Sequence, residues 1–161
     1  MQNSQIRTYS FSNSVYFMKT SEKFGGLSNF AKGFPIYFAN KKFLTSEHLY
    51  QYLKFPDFPD IQEKIILAST PKMAKIISQD NKDYIIKNFL EKRVSTMRFV
   101  LKQKLDNNLQ KFGDLLKSTK NKNIVELSYK DNFWGAKPEG SDKLVGINAL
   151  GRLLMELRSK L

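Results

Sequence analysis

The sequence predicts an α+β fold, mostly helical, in which a single compact domain carries a few short strands. Three observations lead there. Ile86, Leu90, Val94, Met97, Leu101 and Leu105 recur at steps of three and four, the stripe of a long amphipathic helix. Thr70 followed by Pro71 is a helix start, a side-chain cap with proline in the first turn. Two short runs rich in aromatic residues, 15–19 and 34–38, have the length and composition of strands. A chain of 161 residues suits one domain with its own core better than two.

Residues 1–14 are polar and are expected to be loose. The runs at 15–19 and 34–38 follow, with a turn at 39–42, so a small hairpin is expected next. Residues 45–55, TSEHLYQYLKF, form a helix that Thr45 or Ser46 caps and that Pro56 and Pro59 end. Asp60 opens a second helix through Ile61, Ile65, Ile66 and Ala68, and Thr70 opens a third with Met73, Ile76 and Ile77 as its apolar residues. The long helix is expected over 83–105, a shorter one over 109–117, and a strand over 123–128. Residues 129–146, YKDNFWGAKPEGSDKLVG, read as a long structured loop holding Asp131, the only tryptophan (Trp134) and three glycines. Loops of that length in compact domains are more often functional than not. Ile147, Leu150, Leu154, Leu157 and Leu161 then form the core stripe of a final helix, with Arg152 and Arg158 beside it.

Composition removes several function classes. With no cysteine there are no disulfides, Cys-based zinc sites or thiol nucleophiles, and with His48 the only histidine, a Ser-His-Asp triad or a multi-histidine metal site is improbable. Walker A and G-x-G-x-x-G loops are absent. No apolar run approaches the roughly 20 residues of a membrane span, and the N-terminus lacks an apolar signal core, so a soluble, cytoplasmic protein without a membrane partner is expected. The net charge of +12 favours polyanionic partners, although lysines spread along the whole chain also describe a generally basic surface.

Glu47, Gln51 and Lys54 fall within about 60° of one helical arc at 100° per residue. Two readings of that arc stay open. One is a solvated face in which Glu47 complements the helix dipole and pairs with Gln51; the other is the wall of a polar pocket. Together with Asp131, the aromatic plates Phe89 and Trp134, and flexible backbone at Gly25, Gly26 and Gly135, these parts suit hydrolysis of an N-glycosidic bond. Its transition state develops positive charge on the sugar, which calls for a carboxylate, a positioned water and surfaces that grip a flat base. No metal or cofactor is required. The same aromatics also suit a core, and a non-catalytic module that binds nucleotides or nucleic acid is the alternative.

Five segments in order carry a resemblance: GGLSNF (25–30), TSEHLYQYLKF (45–55), the proline-started helix with Ala74 and Lys75, DNFWGA (131–136) and GINALGRLLMELR (146–158). Over residues 24–161 the chain resembles the NADAR superfamily of N-glycosidases, a group linked to NAD and ADP-ribose metabolism and to hydrolysis of riboflavin-pathway intermediates. The resemblance implies the fold of the riboflavin-intermediate N-glycosidases, with one NADAR-like domain at 15–161 after a polar segment at 1–14. It implies that Glu47 is the principal catalytic carboxylate, that Lys54 shares its pocket, and that Asp131 and Trp134 complete the catalytic and binding set. Asn29 and Phe30 would line the wall, Gln51, Phe89 and Gly135 would touch substrate, and Asn148 would start the last helix where amide groups could hold a phosphate. Arg158 is implied either in the site or as an ion pair at the edge of the core. The implied substrates are ribosyl or ADP-ribosyl compounds, including ADP-ribosylated nucleic acid; the oligomeric state is left open. One departure stands out: family members commonly carry an Asp-Trp pair where this chain has Asn88 and Phe89, so its base or ribose preference is expected to differ.

Overall fold

The computed structural model describes residues 5–161. The first four residues of the segment expected to be loose lie outside that range. In chain order the elements are β1 (Arg7–Ser10), β2 (Ser14–Phe17), β3 (Ile36–Phe38), β4 (Lys41–Phe43), α1 (Ser46–Tyr52), α2 (Pro59–Leu67) and α3 (Pro71–Asp80). Then come α4 (Phe89–Asn107), α5 (Leu109–Ser118), β5 (Asn123–Glu126), β6 (Lys137–Glu139), β7 (Lys143–Gly146) and α6 (Ala149–Arg158). Single 3₁₀ turns form at Gly25–Leu27 and Lys82–Tyr84. The fold is α+β and mostly helical with short strands, as the sequence predicts. Its contacts divide it into two units: residues 29–109, and the flanking residues up to Ser28 together with 110–161.

In the 29–109 unit, β3 and β4 pair antiparallel as the expected hairpin. Its turn is shorter than 39–42: only Ala39 and Asn40 take left-handed backbone (φ 51° and 58°), the geometry of a tight two-residue turn, and Lys41 and Lys42 belong to the returning strand. Every residue of α1 is buried. Thr45 caps it, and the helix stops at Tyr52, so Lys54 follows the helix and does not extend its face. Pro59, expected to end a helix, instead occupies the first turn of α2. Helix α3 starts at Thr70 and Pro71 as predicted, but Met73 and Ile76 are exposed and its inner face is Pro71, Ala74 and Ser78. Small side chains let α3 approach α1 closely, and that proximity outweighs the burial of larger residues.

The long helix begins at Phe89, not at residue 83. Asn88 adopts left-handed backbone (φ 64°) and breaks the stripe, leaving Leu90 75% exposed while Met97, Leu101 and Leu105 are buried. Lys104 is fully buried on α4 with its ammonium 4.7 Å from the centre of the Phe34 ring.

In the flanking unit, β1, β7 and β6 form an antiparallel sheet in that order, β2 runs parallel to β5, and α6 packs on β5. Tyr9, Val125, Leu127, Ala136 and Leu144 make one core cluster. Two expectations are corrected here. Residues 7–10, read as loose, form β1 because their backbone pairs with β7. The segment read as one loop contains the β6–β7 hairpin, with Pro138 tolerated because β6 is an edge strand. On α6, Leu150, Leu154 and Leu157 are buried as the stripe predicts, whereas Leu161 lies past the helix end and is exposed.

Candidate active site

The site of interest is built on α1. The Thr45 hydroxyl caps the helix by accepting the His48 amide (3.4 Å) and lies 2.8 Å from His48 Nδ1. His48 Nε2 is 3.0 Å from the Ala68 carbonyl oxygen, which can only accept; Nε2 therefore carries the proton and Nδ1 receives one from Thr45. Burial holds this imidazole below its ordinary pKa, so the sole histidine is a neutral strut.

One residue earlier, the Glu47 amide donates to the Asn29 carbonyl oxygen (3.1 Å), which fixes residue 29 against the first turn. Glu47 is 6% and Gln51 2% exposed, and Gln51 Nε2 donates to Glu47 Oε1 at 2.6 Å. The i,i+4 pair is thus a buried one, and the solvated-face reading is set aside. Burial pushes the Glu47 carboxyl above its ordinary value, against the Gln51 hydrogen bond and the charges of Lys75 and Lys54. Among the described residues, Gln51 Oε1, Asn29 Oδ1 and Ser46 Oγ are buried without a hydrogen-bond partner. Buried polar atoms are rarely left so; Gln51 Oε1 belongs to the side chain that bonds the Glu47 carboxyl, and Asn29 Oδ1 to the residue that holds the Glu47 amide. Asn29 Nδ2 is already used, 3.1 Å from Met97 Sδ.

Lys54 stands beside this cluster, its ammonium 5.1 Å from the centres of both the Tyr50 and Phe89 rings. Those rings meet edge to face at 5.6 Å. Burial depresses the Lys54 pKa, Lys75 depresses it further, and Glu47 opposes them. The Tyr50 hydroxyl is pushed up by burial and by Glu47, against the charge of Arg93. Phe89, Arg93 and Met97 are spaced by four on α4, so they share a face. With Phe89 on Lys54 and Met97 on Asn29, Arg93 lies between them.

The structure therefore brings together Glu47, Gln51, Lys54, Phe89 and Asn29 from the predicted set, with half-buried Phe30 adjoining Asn29 in the chain. Sequence reasoning gave Tyr50, Lys75 and Arg93 no place in this cluster. The spacing of Tyr50 three residues after Glu47, and of Arg93 four after Phe89, was the available signal.

The remaining predicted residues belong to the flanking unit, where each has a local role. Asp131 Oδ1 accepts the Phe133 and Trp134 amides (both 2.9 Å), closing the turn that presents half-buried Trp134. Gly135 passes so close to β5 that a Cβ would collide with the Glu126 carbonyl oxygen. Asn148 is fully buried: its Oδ1 accepts the Glu126 amide (3.1 Å) and its Nδ2 donates to the Ile124 carbonyl (2.9 Å). The amides of Asn148, Ala149 and Leu150 donate to the carbonyls of Gly135, Phe133 and Trp134. This corrects the expectation of a phosphate site there, since those amides already hold the 133–135 turn. Among the described residues Arg158 forms no ion pair at the core edge; its guanidinium donates to Thr119 Oγ1 (2.7 Å) and the Lys122 carbonyl (2.9 Å).

A carboxyl with raised pKa beside an amine with lowered pKa can supply a proton and a nucleophile in the same pocket. Comparisons with known proteins bear on the family and the class of reaction. The NADAR domain matches residues 16–161. N-glycosidase YbiA of Escherichia coli (strain K12) is 35% identical over 147 residues, covering 91% of this chain and 88% of that protein. A riboflavin biosynthesis protein of Vibrio vulnificus (strain YJ016) is 32% identical over 97% of this chain, which spans 41% of that protein. The solution structure of Escherichia coli YbiA superposes with a TM-score of 0.77 at 34% identity, covering 92% of this chain and 84% of the other. Among the described residues, no helix is long and apolar enough to cross a membrane.

Proposed function

The chain belongs to the NADAR family and is a hydrolase acting on N-glycosyl bonds, and from that premise we propose that it cleaves ribose from the exocyclic amine of a base, removing ADP-ribose from a modified nucleobase such as guanine. The observation that carries the proposal is the buried Glu47–Gln51 pair beside the ring-flanked Lys54 amine. In a glycosylamine the base nitrogen can expel the ring oxygen once that oxygen is protonated. Glu47 supplies the proton, C1′–O4′ breaks and a base iminium forms. Neutral Lys54 attacks C1′, the base leaves as its free amine, and water hydrolyses the lysine imine to return ribose and the amine. Burial pushes the Glu47 pKa up and the Lys54 pKa down, each toward the protonation state these steps need. Unpartnered Asn29 Oδ1 and Gln51 Oε1 accept from ribose hydroxyls or from the attacking water. Every step is assigned to residues of the 29–109 unit.

The net charge of +12 supports a nucleic-acid-borne substrate. The riboflavin biosynthesis proteins among the relatives favour a second reading, a ribosylamino-pyrimidine phosphate, which has the same glycosylamine bond. Parallel incubation with ADP-ribosylated guanine DNA and the ribosylamino-pyrimidine phosphate, with products identified by mass spectrometry, separates the two. Turnover of the DNA that falls steeply with salt supports the first; turnover of the small phosphate alone selects the second. Glu47→Gln is expected to keep fold and binding while losing at least ~100-fold in rate. Borohydride added during turnover is expected to leave a ribosyl adduct on Lys54. Near-wild-type turnover of Glu47→Gln, or full turnover with no trapped adduct, refutes the corresponding step, and binding without any turnover selects the non-catalytic module.

A further inference from the structure

The flanking unit holds a cavity of about 570 Å³ that the proposed reaction does not use, bordered by β2, by the residues before the 3₁₀ turn at Gly25–Leu27, and by the turn joining α5 to β5. Its walls include Tyr16, Lys23, Phe24, Thr119, Lys120 and Lys122. The one carboxylate there, Glu22, is met by its own loop: its Oε2 accepts the amides of Met18 (2.8 Å) and Lys19 (3.0 Å). None of the three lysines has a carboxylate partner among the described residues, and Lys23 lies 5.3 Å over the Phe24 ring. Tyr16 is 47% exposed. The cavity is therefore basic, open and aromatic on one wall.

Lys120 supplies an independent sign. It follows the end of α5 with φ of 53°, where glycine or asparagine is the default because a Cβ is strained in left-handed backbone. The turn is held in that shape by the two bonds from Arg158, to Thr119 and to Lys122. The left-handed turn closes α5, the Lys120 amide donating to the Lys117 carbonyl (3.0 Å); glycine would serve that turn without strain, and a lysine kept there at the lip of a basic cavity fits the gathering of such strain at functional positions.

We propose that this cavity binds single-stranded nucleic acid, with phosphates on Lys120 and Lys122 and a base stacked against Tyr16 or Phe24. Stacking with a positive groove is how such strands are held without sequence preference. The inference uses residues of the flanking unit alone and stands whether or not the glycosidase substrate is a nucleic acid.

Fluorescence anisotropy with a labelled oligothymidylate about ten nucleotides long tests it. Binding by the full chain is expected to weaken with salt by roughly 0.7 in log–log slope for each phosphate contacted. Lys120→Gly should raise the melting temperature by about 2–4 °C through relief of strain, yet weaken binding and reduce the slope by about 0.7. Tyr16→Ala should weaken binding at least about fivefold with the slope unchanged. Wild-type affinity in both variants overturns the proposal, as does thymidine monophosphate competing as well as the oligomer. A lower melting temperature for Lys120→Gly would overturn the strain argument on which it rests.

Discussion

Lys75 reaches the proposed site through its charge, which lowers the pKa of both Glu47 and Lys54. Removing that charge raises both. Lys75→Met is therefore expected to move both limbs of the bell-shaped pH profile to higher pH, and a profile that stays in place disproves the coupling. On α4, burial depresses the Lys104 ammonium from 10.5 to about 7. Between those values the unfolded chain binds the additional proton, so native stability rises with pH across that window. Lys104→Met is expected to raise stability at neutral pH by at least about 1 kcal/mol and to flatten the rise; urea midpoints measured from pH 7 to 10 decide it. At this scale Glu47 and Gln51 were legible because a four-residue step puts them together whatever surrounds the helix. Their burial was not legible, and burial is what turned an ordinary pair into a site. Tyr50 hid for the opposite reason: an aromatic in an apolar run reads as core, which it also is.

Among the elements, α1 is the least able to stand alone, at seven residues far below the length at which an isolated helix persists. It is fastened from outside through the Asn29 carbonyl, the His48–Ala68 bond and its packing against α2, α3 and α4. In the flanking unit the matching fastener is Asn148, which ties α6 to β5 by two buried bonds. Asn148→Ala leaves the Ile124 carbonyl and the Glu126 amide unmet and is expected to cost about 2–4 kcal/mol in denaturant unfolding. A loss below about 0.5 kcal/mol would return Asn148 to a role in binding. Most helices were legible from caps and periodicity, α3 at its start and α5 almost to the residue. β1 and β7 were not, because the strands that pair are more than a hundred positions apart and neither alternates cleanly. The start of α4 was misread because an apolar residue at the right spacing, Ile86, precedes a left-handed Asn88 that the pattern does not register.

At the scale of the whole molecule, composition disclosed the charge and the excluded chemistries, while nothing in it marked the boundaries at residues 29 and 109. Those boundaries are set by long-range pairing, which no local signal carries. The register of β1 on β7 joins residues 7–10 to residues 143–146, so the flanking unit is written in two pieces with the 29–109 unit between them. On a ribosome this gives the two units different clocks. The stretch bearing Glu47 and Lys54 is contiguous and is complete once residue 109 has been made, whereas the sheet of β1, β7 and β6 must wait for some forty residues more. In pulse-labelled hydrogen exchange during refolding, the amides of α1 and α4 are expected to gain protection before those of β7, the local contacts closing ahead of the distant ones. Simultaneous protection would mean that the inserted half cannot hold its shape until the chain around it has closed.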